Sequence, residues 1–341
     1  MYRTIFLSTW TTSDYQDFFR RIGTEIRTNL KIFVLTGPTG VGKTEVAVEL
    51  AQRYDLDIIS ADSRQIYRYF DIGTAKPDRR LRRQVKFYLI DFVEPDHTYS
   101  AAQFARDALE IINRLTREGR KFIIVGGSNF YLRALFNPFF KVPPTDFMLR
   151  KNLMAQSSQE LYRRLQTIDP IRAAQIHPND RQRIVRALEI YELTGKTFTQ
   201  LRAEQNTQPL LQPFYVVLSM PKYQLYQRIN QRFDQMVKNG LIDEIKQLRS
   251  RGWNVDCPAF QSYGYRELLL YLEGKIDLET AVQLAKKRTR DFARRQLTWL
   301  RSLSDVFWVE VLNLSEAFRK VEFIFRYKYN INQESCERSA K

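Results

Sequence analysis

The stretch KIFVLTGPTGVGKTEVAVEL, residues 31–50, decides the fold of this chain. Its apolar first part predicts a buried strand, and KTEVAVELAQRY (43–54) predicts the helix that follows. Between them lies the pattern G-x-x-x-x-G-K-[ST], which offers backbone N–H groups and one ammonium to a phosphate chain at the positive end of a helix. The stretch therefore predicts a phosphate-binding loop made of Gly37, Pro38, Thr39, Gly40, Val41, Gly42, Lys43 and Thr44.

Further segments extend this unit into an α/β fold. LDIISAD (56–62) and KFIIVGG (121–127) predict two more buried strands, and segment 100–119 between them predicts a helix. Strands that alternate with helices indicate a parallel sheet with helices on both faces, and ligands bind at the carboxyl ends of such strands. The candidate site residues follow those ends, at 37–44, 62–65 and 126–129.

The chain changes in character after residue 140, where a Pro-rich turn leads into helical patterns rich in Arg, Gln and Leu. We interpret this part as a mostly helical insertion domain. PFYVVLSM (213–220) predicts a return to the sheet, and VFWVEV (306–311) predicts a last edge strand. The predicted division is a variable extension (1–30), the first part of the core (31–140), the insertion (141–205), the return with basic helices (206–312) and a C-terminal helix with a partly disordered tail (313–341).

The balance of charge favours an anionic partner. The 341 residues include 54 Lys+Arg and 38 Asp+Glu, a formal net charge of +16, which suits nucleic acid or an anionic membrane surface. No apolar run approaches the ~18 residues that suggest a membrane span, so nucleic acid is the expected partner and no membrane association is expected. Two Cys and two His make a disulfide framework or a zinc site improbable. We expect a cytoplasmic, reducing environment, although an organellar transit peptide in the first 30 residues stays open.

Two polar residues at strand ends have more than one reading. Asp62 suits a Mg²⁺ ligand, a general base beside the phosphate site, or the cap of the next turn. Ser128 begins a helix, where its hydroxyl suits either a donor to phosphate or a helix cap. The third strand ends in glycines instead of a carboxylate, which weakens the hypothesis of ATP hydrolysis.

Two helical segments concentrate positive charge. Segment 286–301 holds seven Lys and Arg residues against Asp291, and segment 179–191 carries Arg181, Arg183 and Arg186. A solvated charged face is the alternative, but the surplus over the whole chain favours contact with a phosphate backbone.

Seven segments then resemble one family, bacterial tRNA dimethylallyltransferases, in which they occur in the same order. They span roughly residues 31–303 and read GPTGVGKT, ISADSRQIYRYFDIGTAKP, YLIDFVEPDHTYSAAQF, VGGSNFYLRAL, HPNDRQRIVRALEIYELTGK, YGYRELLLYLEG and TRDFARRQLTWLR. The resemblance implies transfer of a dimethylallyl group from its diphosphate to N6 of the adenosine 3′-adjacent to the anticodon, in tRNAs that read codons beginning with U. It also implies dependence on Mg²⁺.

The same resemblance implies residue roles. The loop would cradle dimethylallyl diphosphate, and the catalytic group would comprise Asp62 as the base, Ser128 at a position that is usually Thr, and Arg232 on the diphosphate. The loop pattern itself predicts that Thr44 offers its hydroxyl to Mg²⁺. The implied contacts with the tRNA anticodon stem-loop are Asp62, Ser63, Arg64, Gln65, Ser128, Arg150, Gln182, Arg183, Ile184, Val185, Arg186, Gln261, Ser262, Tyr263, Gly264, Tyr265, Arg266, Arg294, Arg295, Gln296, Leu297, Thr298, Trp299, Leu300 and Arg301.

This chain departs from the family pattern in places. Phe87 and Tyr88 stand where two His are usual, and the chain has no Cys/His set for the zinc finger of eukaryotic forms. We expect a monomer. The alternative functions are a small-molecule kinase that uses the loop with ATP, and a nucleic-acid-binding module whose loop senses a nucleotide. Calorimetry with ATP against dimethylallyl diphosphate separates them.

Overall fold

The structure is a computed structural model that describes residues 30–137, 142–143, 145–204 and 211–329. Residues 1–29 of the predicted extension (1–30) and residues 330–341 of the predicted C-terminal segment (313–341) lie outside the described residues. The chain divides into a larger unit, residues 1–136 with 210–341, and a smaller unit, residues 137–209. None of the described helices has both the length and the apolar character that crossing a membrane requires.

The larger unit is built on a six-stranded parallel sheet in the order β3-β2-β4-β1-β5-β6. Its strands are β1 (Leu30–Thr36), β2 (Asp57–Ser60), β3 (Phe87–Tyr88), β4 (Phe122–Val125), β5 (Leu211–Ser219) and β6 (Val306–Glu310). The predicted parallel α/β sheet is confirmed, and so is the edge position of β6. Strand β3 was not predicted, because a strand of two residues is too short to carry a hydrophobic period.

Helices cover both faces of this sheet, as predicted. They are α1 (Lys43–Tyr54), α2 (Arg79–Gln84), α3 (Ala101–Arg117), α4 (Asn129–Phe136), α10 (Lys222–Lys238), α11 (Leu241–Ser250), α12 (Tyr265–Leu272), α13 (Leu278–Leu300) and α14 (Leu314–Ile324). Ile32 and Val34 of β1 join one apolar cluster, while Phe33 and Leu35 join the other. Such burial on both faces is what a central parallel strand requires.

Ser100 caps α3 as predicted, through a capping box with Gln103, and Gly119 follows its end with φ 65°. The cap satisfies two N–H groups that the first turn would otherwise leave without partners. The helix packs Phe104, Ala108 and Ile112 into the sheet core.

The smaller unit has a core of its own. Its described residues form α5 (Phe147–Ala155), α6 (Ser158–Ile168), α7 (Pro170–Ala174), α8 (Arg181–Thr194) and α9 (Phe198–Glu204). Leu153, Leu161, Ile184 and Leu188 meet at its centre. Glu189 is fully buried, and its carboxylate accepts hydrogen bonds from the Asp146 backbone N–H and from Arg186.

Candidate functional site

The phosphate loop connects β1 to α1. Gly42 is the residue before α1 and has φ 101°, a left-handed conformation that glycine adopts without strain. The Lys43 side chain folds back over the loop, where its Nζ donates to the Pro38 carbonyl at 2.9 Å. The loop therefore holds an ammonium beside the N–H groups of the first helical turn, the arrangement that binds phosphate.

Burial changes the acidity of that ammonium. Loss of solvent lowers the pKa of Lys43 from 10.5 to about 8, while the nearby Asp62 carboxylate raises it and Arg232 lowers it further. A bound anion would restore the charged form, because opposite charge favours protonation of a buried amine.

Two arginines of α10 approach the loop. Arg232 donates from Nη2 to the Thr39 hydroxyl at 2.8 Å, and burial lowers its pKa. One turn earlier, Nη2 of Arg228 lies 3.5 Å from the position that a Cβ on Gly42 would take, and 3.9 Å from Glu45 Oε1. The resemblance supplied Arg232 but not Arg228, although their i, i+4 spacing, which puts both on one helix face, could have indicated it.

Asp62 lies just beyond β2 and caps the next turn, one of the three roles that the sequence left open. Its Oδ1 accepts the backbone N–H groups of Arg64 at 2.8 Å and Gln65 at 3.3 Å. These two bonds engage Oδ1, so capping is compatible with a role for Oδ2 toward a substrate. The effect of the Asp62 charge on Lys43 places the carboxylate close to the phosphate loop.

Ser128 connects two strand ends. Its hydroxyl accepts the Ser63 N–H at 2.8 Å and donates to the Ser63 hydroxyl at 3.2 Å. The first turn of α4 uses the carbonyl of Ser128 instead, which accepts from Tyr131 and Leu132. The side chain therefore ties the segment after β4 to the segment after β2 at the edge of the site.

The loop Asp71–Ala75 forms another wall and is held by side chains that the resemblance assigned to tRNA. Gln65 Nε2 donates to the carbonyls of Thr74 and Ala75 at 3.2 and 3.0 Å. The Tyr265 hydroxyl accepts the Gly73 N–H at 3.0 Å and donates to Glu244 at 2.6 Å. These bonds fix the position of a loop that faces the site.

One cavity brings these groups together, and its lining combines two kinds of residue. The polar ones are Thr39, Lys43, Asp62, Ser128 and Arg232, together with Ser63, Arg64, Gly127 and Gln296. The apolar ones are Ile229, Phe233, Met236 and Phe292. These apolar residues were not predicted as site residues, because apolar positions on an amphipathic helix are the usual sign of core packing.

The structure narrows the set of residues whose side chains can contact tRNA. Burial removes the side chains of Ile184, Val185, Ser262, Tyr265, Gln296 and Leu300 from the surface. The first two pack in the smaller unit's core, because α8 turns its apolar face inward. Arg186 is also engaged, with bonds to Glu189 and to the Pro143 carbonyl.

Other members of that set are exposed. On the smaller unit Arg150 donates to Gln182 at 3.0 Å, and the Arg183 side chain beside it is 63% exposed. On the larger unit the Arg294 side chain is 66% exposed, and Gln261, Arg266, Arg295, Thr298 and Arg301 are exposed as well. Each unit thus presents positive charge that suits a phosphate backbone.

The oxygen donors beside the loop fit a magnesium ion that has few ligands from the protein. Thr44 is the second residue of α1 and half-buried, and Asp62 follows β2 at the same carboxyl edge of the parallel sheet. In the described part of the chain, no three His, Cys, Asp or Glu side chains gather closely enough to hold a metal ion. A hydroxyl and a carboxylate suit a magnesium ion that keeps most of its waters and arrives with the phosphates of a substrate.

The parallel sheet, the phosphate loop and the cavity beside it define the class of this protein, a phosphate-loop enzyme of α/β fold. A family model described as IPP transferase matches residues 65–303. The chain belongs to the tRNA dimethylallyltransferase family. It is 44% identical to the tRNA dimethylallyltransferase of Thermosipho africanus over 296 residues, which cover 85% of this chain and 96% of that protein. It is 41% identical to the enzyme of Thermotoga petrophila, over 82% of this chain and 92% of that protein.

Solved structures agree with this membership. The tRNA isopentenylpyrophosphate transferase of Bacillus halodurans superimposes with a TM-score of 0.66 at 36% identity, covering 90% of this chain and 99% of its own. A eukaryotic dimethylallyltransferase acting on tRNA gives a TM-score of 0.76 at 28% identity, covering 89% and 80%. These comparisons support the transferase hypothesis over the kinase alternative.

Proposed function

We propose that this chain transfers a dimethylallyl group from dimethylallyl diphosphate to the exocyclic N6 amine of the adenosine 3′-adjacent to the anticodon, in tRNAs that read codons beginning with U. The observation that carries the proposal is the cavity, whose lining combines the phosphate loop and Arg232 with the apolar side chains of Ile229, Phe233 and Met236. A ligand with an anionic head and a short hydrocarbon tail matches both kinds of side chain in this lining.

The polar residues that line the cavity act on the leaving group. Transfer breaks the bond between the allylic carbon and a diphosphate oxygen, so negative charge grows on that oxygen. Lys43, Arg232 and the loop N–H groups neutralise this charge, and each well-placed donor contributes ~3 kcal/mol. Magnesium held by the Thr44 hydroxyl and the diphosphate would add positive charge at the same place.

The amine of adenine is a weak nucleophile, because its lone pair is delocalised into the ring. As the carbon–nitrogen bond forms, the nitrogen becomes acidic, and Asp62 is the group that accepts its proton, for ~10²–10⁴-fold in rate. The Ser128 hydroxyl, which follows the neighbouring strand β4, would donate to the departing diphosphate after it releases the Ser63 hydroxyl. The base reaches this cavity only after it leaves the stack of the anticodon loop, at a cost of a few kcal/mol.

Exposed arginines compensate for that cost. Arg183 on the smaller unit and Arg294 on α13 offer contacts to the RNA backbone, and such contacts release counterions from the nucleic acid. The proposal includes action as a monomer in the cytoplasm, with dimethylallyl diphosphate as the donor and Mg²⁺ as the metal.

The test is incubation of the purified protein with radiolabelled dimethylallyl diphosphate, MgCl₂ and unmodified tRNA. We expect label on the adenosine 3′-adjacent to the anticodon and none on a matched tRNA that carries guanosine there. Excess ATP should not be consumed. If the folded protein leaves the adenosine unlabelled while it phosphorylates a metabolite with ATP, the proposal is wrong.

A further inference from the structure

Gln296 lies in the middle of the Arg-rich stretch of α13 but is turned away from it. Its neighbours Arg294 and Arg295 are exposed, whereas Gln296 is only 2% exposed. The resemblance counted it among the tRNA contacts. A side chain that is buried on the opposite side of the helix from the exposed cations cannot reach RNA that lies against them.

Both ends of its carboxamide are used inside the candidate site. Oε1 accepts the Thr39 N–H of the phosphate loop at 2.8 Å, and Nε2 donates to the Gly127 carbonyl at 2.7 Å. Thr39 in turn accepts the Arg232 guanidinium at its hydroxyl. One side chain thus spans the loop after β1 and the segment after β4, and it is bonded directly to the residue that orients Arg232.

The contact at Gly127 is tight. A Cβ added there would lie 2.5 Å from Nε2 of Gln296, closer than real Cβ contacts come. Only a residue without a side chain lets the carboxamide reach the carbonyl. Ser128 follows at once and bonds to Ser63, so the position of Gln296 also bears on where the Ser128 hydroxyl lies.

We propose that Gln296 is a positioning residue for the diphosphate subsite and not a contact of the tRNA backbone. It holds the phosphate loop through Thr39 and the start of α4 through Gly127. We infer that these two bonds keep the loop and the helix start at the distance that a diphosphate requires. The proposal rests on the proposed function for the identity of the anion. It assigns to α13 two separate tasks, RNA contact on its exposed face and loop support on its buried face.

The test measures two affinities on the full-length protein, the Kd for inorganic pyrophosphate with Mg²⁺ by calorimetry and the Kd for tRNA by fluorescence anisotropy. Gln296→Met keeps the volume of the side chain and removes both hydrogen bonds. We expect it to raise the pyrophosphate Kd about tenfold, the loss that follows from about two net hydrogen bonds, and to change the tRNA Kd less than twofold.

Arg294→Gln, two residues away on the exposed face, is the matched control. It should weaken tRNA binding and leave the pyrophosphate Kd unchanged. If Gln296→Met weakens tRNA binding and leaves pyrophosphate binding intact, Gln296 is a tRNA contact and the inference is wrong. Failure of the wild type to bind pyrophosphate would instead contradict the proposed function, so the two failures are distinguishable.

A double-mutant cycle separates positioning from general loss of packing. Gly127→Ala alone should weaken pyrophosphate binding, because the new methyl displaces the carboxamide. In the Gln296→Ala background the methyl enters space that the shortened side chain has vacated, so the second change should cost much less than it does in the wild type. Additive effects on pyrophosphate binding would overturn the inference, even where both single variants melt at the temperature of the wild type.

Discussion

At the scale of single residues, the cap that Asp62 forms is compatible with its proposed role as the base, two roles that the sequence left as alternatives. Its Oδ1 receives the N–H groups of Arg64 and Gln65, so the turn itself holds the carboxylate in place. A group that is fixed by one oxygen keeps the other at a constant position, which lowers the entropy cost of proton transfer.

The first prediction uses this division. Asp62→Asn keeps an oxygen that can accept the two N–H groups but removes the basic carboxylate. We expect kcat for prenyl transfer to fall ~10²–10⁴-fold, with the Kd values for tRNA and pyrophosphate within about threefold of the wild type. Single-turnover kinetics with saturating substrates measures the change.

Asp277→Asn is the control, because Asp277 also receives an N–H group at Oδ1, at the start of α13, and does not line the cavity. It should leave kcat unchanged. Retention of more than a tenth of wild-type kcat by Asp62→Asn would contradict the role of Asp62 as the base.

The second prediction concerns Lys43 and pH. Its pKa in the free protein is about 8, and bound pyrophosphate stabilises the ammonium, so the pKa in the complex is higher. Below pH 8 the ammonium is already protonated and contributes no pH dependence. Above pH 8 binding must take up a proton, so affinity for pyrophosphate should fall about tenfold per pH unit until the pKa of the complex is reached.

Calorimetry at pH 7 to 10 measures this fall, and Lys43→Arg provides the comparison. A guanidinium stays charged throughout that range, so the affinity of the variant for pyrophosphate should fall less steeply with pH, by about tenfold per pH unit. The titration of pyrophosphate itself affects both proteins equally. Equal slopes for the two proteins would show that Lys43 is charged before the ligand binds.

At the scale of elements, the repeated pattern of strands and helices could be predicted from the sequence, whereas the contacts of individual side chains could not. Strands β1, β2, β4 and β5 are runs of buried apolar residues. These runs and the helices that alternate with them are enough to infer the parallel sheet. The carboxyl ends of β1, β2 and β4 then locate the candidate site.

The rest depends on burial, which a residue type does not reveal. The resemblance assigned Tyr265 and Gln296 to contact with RNA, yet both side chains are buried and support loops of the site. The apolar lining residues Ile229 and Met236 were missed for the opposite reason, because they have the same pattern as core positions of a helix.

The third prediction tests the support of the loop Asp71–Ala75. A Cβ on Gly73 would lie 2.4 Å from the ring of Tyr265, which is fully buried and cannot move aside without repacking. We expect Gly73→Ala to lower the free energy of unfolding by ~1–3 kcal/mol and to raise the KM for dimethylallyl diphosphate, since the loop lines the cavity.

Gly274→Ala is the comparison for fold, because nothing lies within 4 Å of the added methyl, although its φ of 70° costs some strain. Urea denaturation measures both variants. If Gly73→Ala unfolds at the same urea concentration as the wild type and keeps its KM, Tyr265 does not fix this loop.

At the scale of the whole molecule, the formal net charge of +16 makes association with RNA depend on salt. The fourth prediction is that log Kd for tRNA rises linearly with log salt concentration, and that Arg183→Gln and Arg294→Gln each reduce the slope by ~0.7–0.9. Both side chains are mostly exposed, so neither substitution should affect folding.

Lys246→Gln is the control for net charge. That lysine is 59% exposed and lies outside the predicted contact segments, so its removal should leave the slope unchanged. Equal slopes for the wild type and all three variants would mean that these arginines do not touch the RNA backbone.

The way the smaller unit joins the chain has a consequence for protein engineering. The larger unit ends its first part at Phe136, whose ring lies 6.0 Å from that of Tyr215 in β5, and Leu211 starts that strand four residues earlier, ~13 Å away. A bridge of about five Gly and Ser residues spans such a gap. The fifth prediction concerns a variant in which this bridge replaces residues 137–209. We expect it to bind pyrophosphate in calorimetry and to bind tRNA much more weakly than the full chain does. An insoluble product, or one without pyrophosphate binding, would show that the excised helices are needed to fold the sheet.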